Sequence, residues 1–318
     1  MPRNTRRPDI AERAAARFIT LSVSERDRSS AENTPIELLP FLMQKMSISR
    51  TAAKSLLIHR LVYVDNRIET LHNFPLKPGM SVKISRDKNR KEFQSQWLDI
   101  VYEDKYLIVI NKRCGLLSIA TNPQKKERTA HAILSDYVKR GNRQARIFIV
   151  HRLDRETSGL MVFAKDEKTK FTLQDHWHEI VTDRRYVAVT CGQPEPPQGV
   201  IASWLKDNKM FVTYSSPHDN GGEYAITHYH TLKQGATHSL VELTLETGKK
   251  NQIRVHLQEK QTPIAGDLKY GNGENPINRL ALHAYRLNFY HPITGEPMQF
   301  STPIPASFRE LVQKKKSE

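Results

Sequence analysis

The sequence predicts an α+β protein, with a mixed, largely antiparallel sheet flanked by helices behind a small N-terminal α/β domain. Period-2 alternation is the first reason: Leu240, Glu242, Thr244 and Glu246 face one way while Val241, Leu243 and Leu245 face the other. Helical spacing is the second, since it appears only in short stretches set between strand-like runs. The third is that no Gly-rich phosphate loop and no regular repeat occurs, which argues against a doubly wound nucleotide-binding sheet. A chain of 318 residues has room for one domain of roughly 200 residues and a smaller module.

Residues 1–34 mix Arg, Ser, Asp and Glu around a short Ala run and read as a mobile basic N-terminal arm. Residues 35–87 form the small domain. There Leu38, Leu39, Leu42 and Met46 recur at helical spacing, and Ser49 precedes a second helix with Ala52, Ala53, Leu56 and Leu57 on its apolar face. Residues 61–64 read as a strand entering a turn at Asp65-Asn66, and Lys77-Pro78-Gly79 precedes a further strand over 81–84. Residues 88–96, with Lys88, Arg90 and Lys91, read as a polar linker.

The large domain is expected over 97–318. Val101-Tyr102 and residues 107–110 are strand-like, and Thr129 opens a helix bearing Ala132, Ile133 and Tyr137. Residues 147–150 and 160–164 are strands across a turn. If strand geometry continues, Phe148, Val150, Arg152 and Asp154 share one face, with Ile149, His151 and Leu153 on the other.

Lys and Arg outnumber Asp and Glu by 49 to 34, a formal charge of +15, which favours polyanionic partners. Residues 36–92 concentrate that bias, with 11 Lys/Arg against 5 Asp/Glu. The two cysteines, Cys114 and Cys191, lack metal-binding or disulfide spacing and read as semi-buried thiols of a reducing compartment, so no metal is expected. No run approaches the 18 or so apolar residues of a membrane span, and no secretory signal follows the N-terminal arginines, so a cytoplasmic protein without membrane contact is expected.

The segment 146–159 carries a strand straight into a dense polar cluster, Arg152-Leu153-Asp154-Arg155-Glu156. One carboxylate beside an arginine at the rim of an apolar sheet is a possible catalytic arrangement. By spacing alone, an ion pair of Asp154 with Arg152 or Arg155 is the commoner use of such a residue.

His151-Arg152-Leu153-Asp154-Arg155-Glu156-Thr157-Ser158-Gly159-Leu160 closely resembles the signature of the RluA-type pseudouridine synthases. Further stretches agree in order: Leu107-Ile-Val-Ile-Asn-Lys112 with Gly115-Leu-Leu117, Arg185-Tyr186-Val-Ala188, Thr247-Gly-Lys-Lys-Asn-Gln-Ile-Arg-Val-His-Leu257, Pro263-Ile-Ala-Gly-Asp267 and Tyr270-Gly271. The resemblance implies an enzyme that isomerises uridine within RNA, with Asp154 as its catalytic nucleophile, Tyr186 as its active-site tyrosine and Arg254 as its active-site arginine. Arg152 matches the arginine associated with taking the target base out of its helix. Asn251 and Arg185 depart from the residues common at their positions, His and Lys.

The isomerisation involves no redox change, so the resemblance implies neither cofactor nor metal. It also implies that Arg254 pairs with Asp154 and fixes its direction. Tyr186 would offer a ring for the uracil and a hydroxyl for proton transfer. Gly159, Gly248, Gly266 and Gly271 are expected in turns. Unstacking a uridine costs a few kcal/mol, and Arg152 is the candidate for propping the vacated space, with an ion pair to Glu156 as its plain alternative.

Residues 36–86 are similar to the small RNA-binding domain of ribosomal protein S-four, through Ser49-Arg50-Thr51-Ala52-Ala53-Lys54, Val62-Tyr63-Val64-Asp65-Asn66 and Pro78-Gly79. The resemblance implies Arg50, Lys54 and Arg60 as RNA-facing residues, although charge on a solvated helix face is the commoner explanation of each. The expected partner is RNA, with ribosomal RNA, of the large subunit, favoured over transfer RNA, bound by a monomer. An RNA-binding assembly factor without catalysis, or a hydrolase using Asp154 with Glu156, are the competing readings.

Overall fold

The computed structural model describes residues 18–27, 36–58, 61–85, 93–120 and 127–313. Its backbone divides into two compact units, Met1–Glu92 and Phe93–Glu318.

In the first unit, β1 (Phe18–Ser22) leads to a short 3-10 turn (Glu25–Asp27), then α1 (Leu38–Met46) and α2 (Arg50–Ile58). Three strands follow, β2 (Val62–Val64), β3 (Arg67–Ile68) and β4 (Ser81–Ser85), in a fully antiparallel sheet of order β1-β4-β2-β3. Both helices lie where the apolar spacing puts them, and Ser49 Oγ accepts the Ala52 N–H at 3.2 Å as an N-cap. Asp65 and Asn66 take positive φ values of 46° and 66°, the left-handed turn that a two-residue hairpin needs.

The expectation of an arm over residues 1–34 fails for residues 18–27. Ile19, Leu21 and Val23 alternate, and Ile19 and Leu21 pack against the core in which Val23 is buried. Asp27, 5% exposed, secures the connection: it accepts the N–H and hydroxyl of Ser24, each at 2.8 Å, and pairs with Lys45 of α1 at 2.8 Å. Burial pushes its pKa up, but Lys45 and the Ser24 bonds outweigh that and hold it below the usual carboxylate range. Most of the expected linker, residues 86–92, lies outside the described residues. Phe93, expected in that linker, instead packs edge-on against Tyr137, ring centres 5.0 Å apart, in the second unit's core.

The second unit is one 11-stranded sheet with helices around it. In chain order come β5 (Leu98–Glu103), β6 (Leu107–Lys112), α3 (Ala130–Gly141), β7 (Phe148–Ile149), β8 (Ser158–Ala164), α4 (Glu167–Asp175) and α5 (Trp177–Ile180). There follow β9 (Val181–Cys191), β10 (Gln198–Asp207), β11 (Thr213–Ser216), β12 (Glu223–Gln234), β13 (His238–Leu245) and α6 (Gln252–Glu259). The chain closes with β14 (Leu282–Tyr290), β15 (Pro297–Ser301) and α7 (Ala306–Gln313). The strand order is β11-β10-β12-β13-β9-β14-β8-β6-β5, with β15 beside β14 and β7 beside β8. Among the described strands only β14 and β8 pair in parallel, so the expected mixed, largely antiparallel α+β architecture is the observed one.

That parallel seam explains Gly159. It sits inside β8, not in the expected turn, at φ +122°, and a Cβ there would lie 2.2 Å from the Ala284 carbonyl oxygen. At the same seam, Ser158 Oγ meets His283 Nδ1 at 2.8 Å and accepts a bond from Arg279 at 2.7 Å, while His283 Nε2 lies 2.9 Å from Thr302 Oγ1. His256 ties α6 to the sheet, its ring nitrogens 3.1 Å from Ser203 Oγ and 2.8 Å from Thr227 Oγ1. None of the described helices is long and apolar enough to cross a membrane.

Burial pulls the pKa of His256 and of His283 down to about 4, the latter with help from Arg279. An ordinary histidine titrates near 6.5, so between those values the unfolded chain binds protons that the folded chain refuses. Stability present above pH 6.5 is therefore lost as pH falls toward 4. Urea unfolding across that range is expected to show a decline on the order of a few kcal/mol, and a flat profile would contradict it.

Candidate active site

Strand geometry does not reach Asp154, contrary to expectation. β7 ends at Ile149, and the chain leaves the sheet through a loop closed by a turn at Arg155-Glu156, with the Thr157 N–H bonded to the Asp154 carbonyl at 3.1 Å. The faces expected from alternation beyond Ile149 do not form, because side chains from elsewhere capture the loop's own backbone groups.

Those captures fix the loop residue by residue. Gln174 donates to the Val150 carbonyl at 3.1 Å, and His151 Nε2 accepts the Val162 N–H of β8 at 3.1 Å. Leu153, 5% exposed, anchors in the main core, its N–H donating to Ser118 Oγ at 3.1 Å and its carbonyl accepting from the same hydroxyl at 2.6 Å. Lys112 is fully buried and donates to the carbonyls of Arg113, Leu116 and Arg155 at 3.1, 2.7 and 3.1 Å. Burial pulls its pKa down to about 8, although the nearby Cys114, Glu156 and Asp154 work in the other direction. An ammonium without solvent requires such carbonyl partners, and here two belong to the segment after β6 and the third to Arg155, next to the candidate acid.

Asp154 itself is half-buried, its side chain 27% exposed, and its Oδ2 lies 4.0 Å from Arg254 Nη1. It pairs with neither Arg152 nor Arg155. Arg155 reaches Glu127 at 3.4 Å, whereas Arg152 is exposed and forms no ion pair with Glu156.

Arg254 was expected to pair with Asp154, but its principal partner is Asp267. Nε and Nη2 donate to the two Asp267 oxygens at 2.7 Å each, and Nη1 donates to Asn251 Oδ1 at 3.1 Å. α6 is buried throughout from Gln252 to Leu257, so Arg254, 9% exposed, requires a buried counter-ion. Asp267, 2% exposed, also accepts the N–H groups of Lys269 and Tyr270 at 2.9 Å each. Burial pushes its carboxyl up, yet the Arg254 pair and those N–H bonds leave it below the usual range. The Arg254 guanidinium also lies 4.9 Å from the Tyr270 ring centre. Asn251, a departure at sequence level, takes φ 55° and donates to the Tyr270 hydroxyl at 3.2 Å.

Tyr186 lies in β9 between Leu243 of β13 and Ala284 of β14, 6% exposed. Burial pushes its phenol up, Arg184 opposes that, and the Asp154 charge adds to it, so both charges act on the hydroxyl. Arg184 donates to the Thr247 carbonyl at 3.2 Å and lies 5.7 Å from the Trp177 ring centre, which in turn is 4.9 Å from that of His151. Arg185 is occupied by Asp183 and Glu242, at 2.8 and 2.9 Å. The fold thus gathers Asp154, Tyr186 and Arg254, and adds Asp267, Asn251, Tyr270, Lys112, His151 and Arg184. The runs at 263–267 and 270–271 contain the signal for Asp267 and Tyr270, but not their pairing with Arg254. In the first unit, Arg50 and Lys54 are exposed one helical turn apart on α2, and Arg60 lies outside the described residues.

Residues 106–259 match the RNA pseudouridylate synthase family. The chain is 34% identical over 284 residues to RNA pseudouridine synthase YhcT of Bacillus subtilis, covering 86% of this chain and 91% of that protein. It is 32% identical over 282 residues to ribosomal large subunit pseudouridine synthase D of Escherichia coli O6:H1, covering 83% and 86% respectively. Among solved structures, human RNA pseudouridylate synthase domain containing 4 superposes with a TM-score of 0.54 at 26% identity, over 66% of this chain and 90% of that one. With the signature, the sheet and these likenesses in agreement, the chain belongs to the RNA pseudouridine synthase family and is an isomerase acting on uridine in RNA.

Proposed function

We propose that Asp154 is the catalytic carboxylate, attacking or deprotonating the ribose of the target uridine, with Tyr186 and Arg254 as its active-site partners. The observation that supports this reading is a half-exposed carboxylate 4.0 Å from a buried guanidinium, whose charge also raises the pKa of a buried phenol, on a loop tied down from both sides. The reaction breaks the bond between N1 and the sugar, turns the uracil, and joins C5 to the same sugar carbon. The C5 proton must leave and N1 must gain one. A carboxylate supplies nucleophile or base, and a phenol above its usual pKa keeps its proton for donation or presents its ring to the base. Arg152, exposed and without an ion pair among the described residues, is the residue proposed to enter the gap left by an extruded uridine.

Ribosomal RNA is the proposed substrate. The relatives named ribosomal large subunit pseudouridine synthase D support it, at 31–32% identity over more than four fifths of this chain. The first unit is proposed as an RNA-binding module, with Arg50 and Lys54 contacting phosphates. Its support is their shared exposed face on α2 and the basic bias of residues 36–92.

Pseudouridine mapping across total RNA tests the assignment in cells carrying the wild-type chain, Asp154→Asn or neither. The wild type is expected to restore signal at large-subunit ribosomal positions, and Asp154→Asn to restore none. With purified protein, Asp154→Asn should lower kcat by at least ~10³-fold with RNA affinity within about threefold of wild type. An active variant would remove Asp154 from the chemistry, while restoration confined to transfer RNA would overturn the substrate. For the first unit, Arg50→Glu with Lys54→Glu should weaken RNA binding and reduce the slope of log K against log salt by about 2. An unchanged slope would refute those phosphate contacts.

A further inference from the structure

Cys191 closes β9 and His238 opens β13, and the two are direct cross-strand partners. Glu274 comes from the connection between α6 and β14 and brings a carboxylate to the same place. Its Oε2 lies 3.9 Å from Cys191 Sγ and 3.7 Å from His238 Nε2, and the three donor atoms all fall within 4.8 Å of one another. In a tetrahedral zinc site, metal–ligand bonds of about 2.0–2.3 Å place the ligand atoms about 3.4–3.6 Å apart. The observed separations exceed that by a few tenths of an ångström at two edges.

We propose that Cys191, His238 and Glu274 form a binding site for a divalent transition metal of the zinc class, separate from the uridine site. Sulfur, imidazole nitrogen and carboxylate oxygen are the donor set that borderline cations take, and a thiolate with a carboxylate balances the dication's charge. His238 is supported in the way ligating histidines are: Nδ1 lies 2.8 Å from Thr237 Oγ1, so an Nδ1–H donated to that hydroxyl turns the Nε2 lone pair toward the other donors. The Thr237 carbonyl is itself held, accepting the Gly192 N–H at 2.8 Å. Asn272 Oδ1, 3.8 Å from Cys191 Sγ, or a water completes four positions, and the exposed Glu274 provides a route of entry.

Without a cation, burial and the Glu274 carboxylate push the Cys191 thiol up to about 11. A bound dication reverses that logic, since a coordinating thiol loses its proton to solvent. The site has a structural consequence near the active site. The Glu274 carbonyl accepts the N–H of Gly266 at 3.1 Å, next to the Asp267 that clamps Arg254. A metal at Glu274 therefore restrains the segment that supplies the clamp.

The test uses the full, tag-free chain, stripped with a chelator and titrated with Co²⁺. The expected result is a thiolate-to-cobalt charge-transfer absorption that saturates at one ion per chain and is displaced by Zn²⁺. Cys191→Ser should abolish it, and Glu274→Gln, at an exposed position that leaves folding intact, should weaken binding at least ~10-fold. Zn²⁺ should also slow alkylation of Cys191 and leave Cys114 unaffected. No charge-transfer band, a band that survives Cys191→Ser, or Glu274→Gln binding as tightly as wild type would each overturn the site.

Discussion

The Arg254 guanidinium faces two carboxylates but is committed to one. Its doubly bonded pair with Asp267 uses Nε and Nη2, which leaves only Nη1 directed toward Asn251 and, at 4.0 Å, toward Asp154. A buried guanidinium with no counter-ion would carry a large desolvation penalty, and were Asp154 its only partner, the two would draw into close contact. Asp267 takes up that demand. Asp154 is therefore not drawn into a short pair with Arg254, and on the proposed reading its lone pairs serve the substrate in the field of that cation.

The second requirement is that the carboxylate stay still. Asp154 sits off the sheet, where loops ordinarily move, but its neighbours' backbone groups are held by Lys112, Ser118 and Gln174, and the ring of His151 in the same loop accepts the Val162 N–H of β8. Lys112 ends β6, Ser118 follows it and Gln174 lies in α4, so the loop's geometry depends on elements outside the loop itself. The close parallel approach of β8 to β14 at Gly159 sets where the loop re-enters that sheet.

Regular elements were readable in proportion to their local periodicity. α1, α2, the capped α3 and the alternating β13 needed nothing beyond neighbouring residues. β1 was hidden because its Ile19-Leu21-Val23 alternation is short and lies beside a charged stretch, and its partner β4 is some sixty residues away. The strand expected to carry Asp154 ended early because tertiary partners took its hydrogen bonds. The resemblance points to Asp154 through the signature and to Tyr186 and Arg254 through the runs at 185–188 and 247–257, but not to the pairing of Arg254 with Asp267, which depends on the burial of α6 from Gln252 to Leu257. Nor could spacing reveal that residues 191, 238 and 274 meet, since only strand register and one loop bring them together.

Urea unfolding of Arg254→Met, Asp267→Asn, Asp154→Asn and the two double variants that include Arg254→Met tests the division of that guanidinium most directly. Asp267→Asn alone should cost about 3–5 kcal/mol, and its coupling to Arg254 should be at least ~2 kcal/mol, against under ~1 kcal/mol for Asp154. Equal couplings, or a larger one for Asp154, would contradict the account and make Asp154 the counter-ion of Arg254.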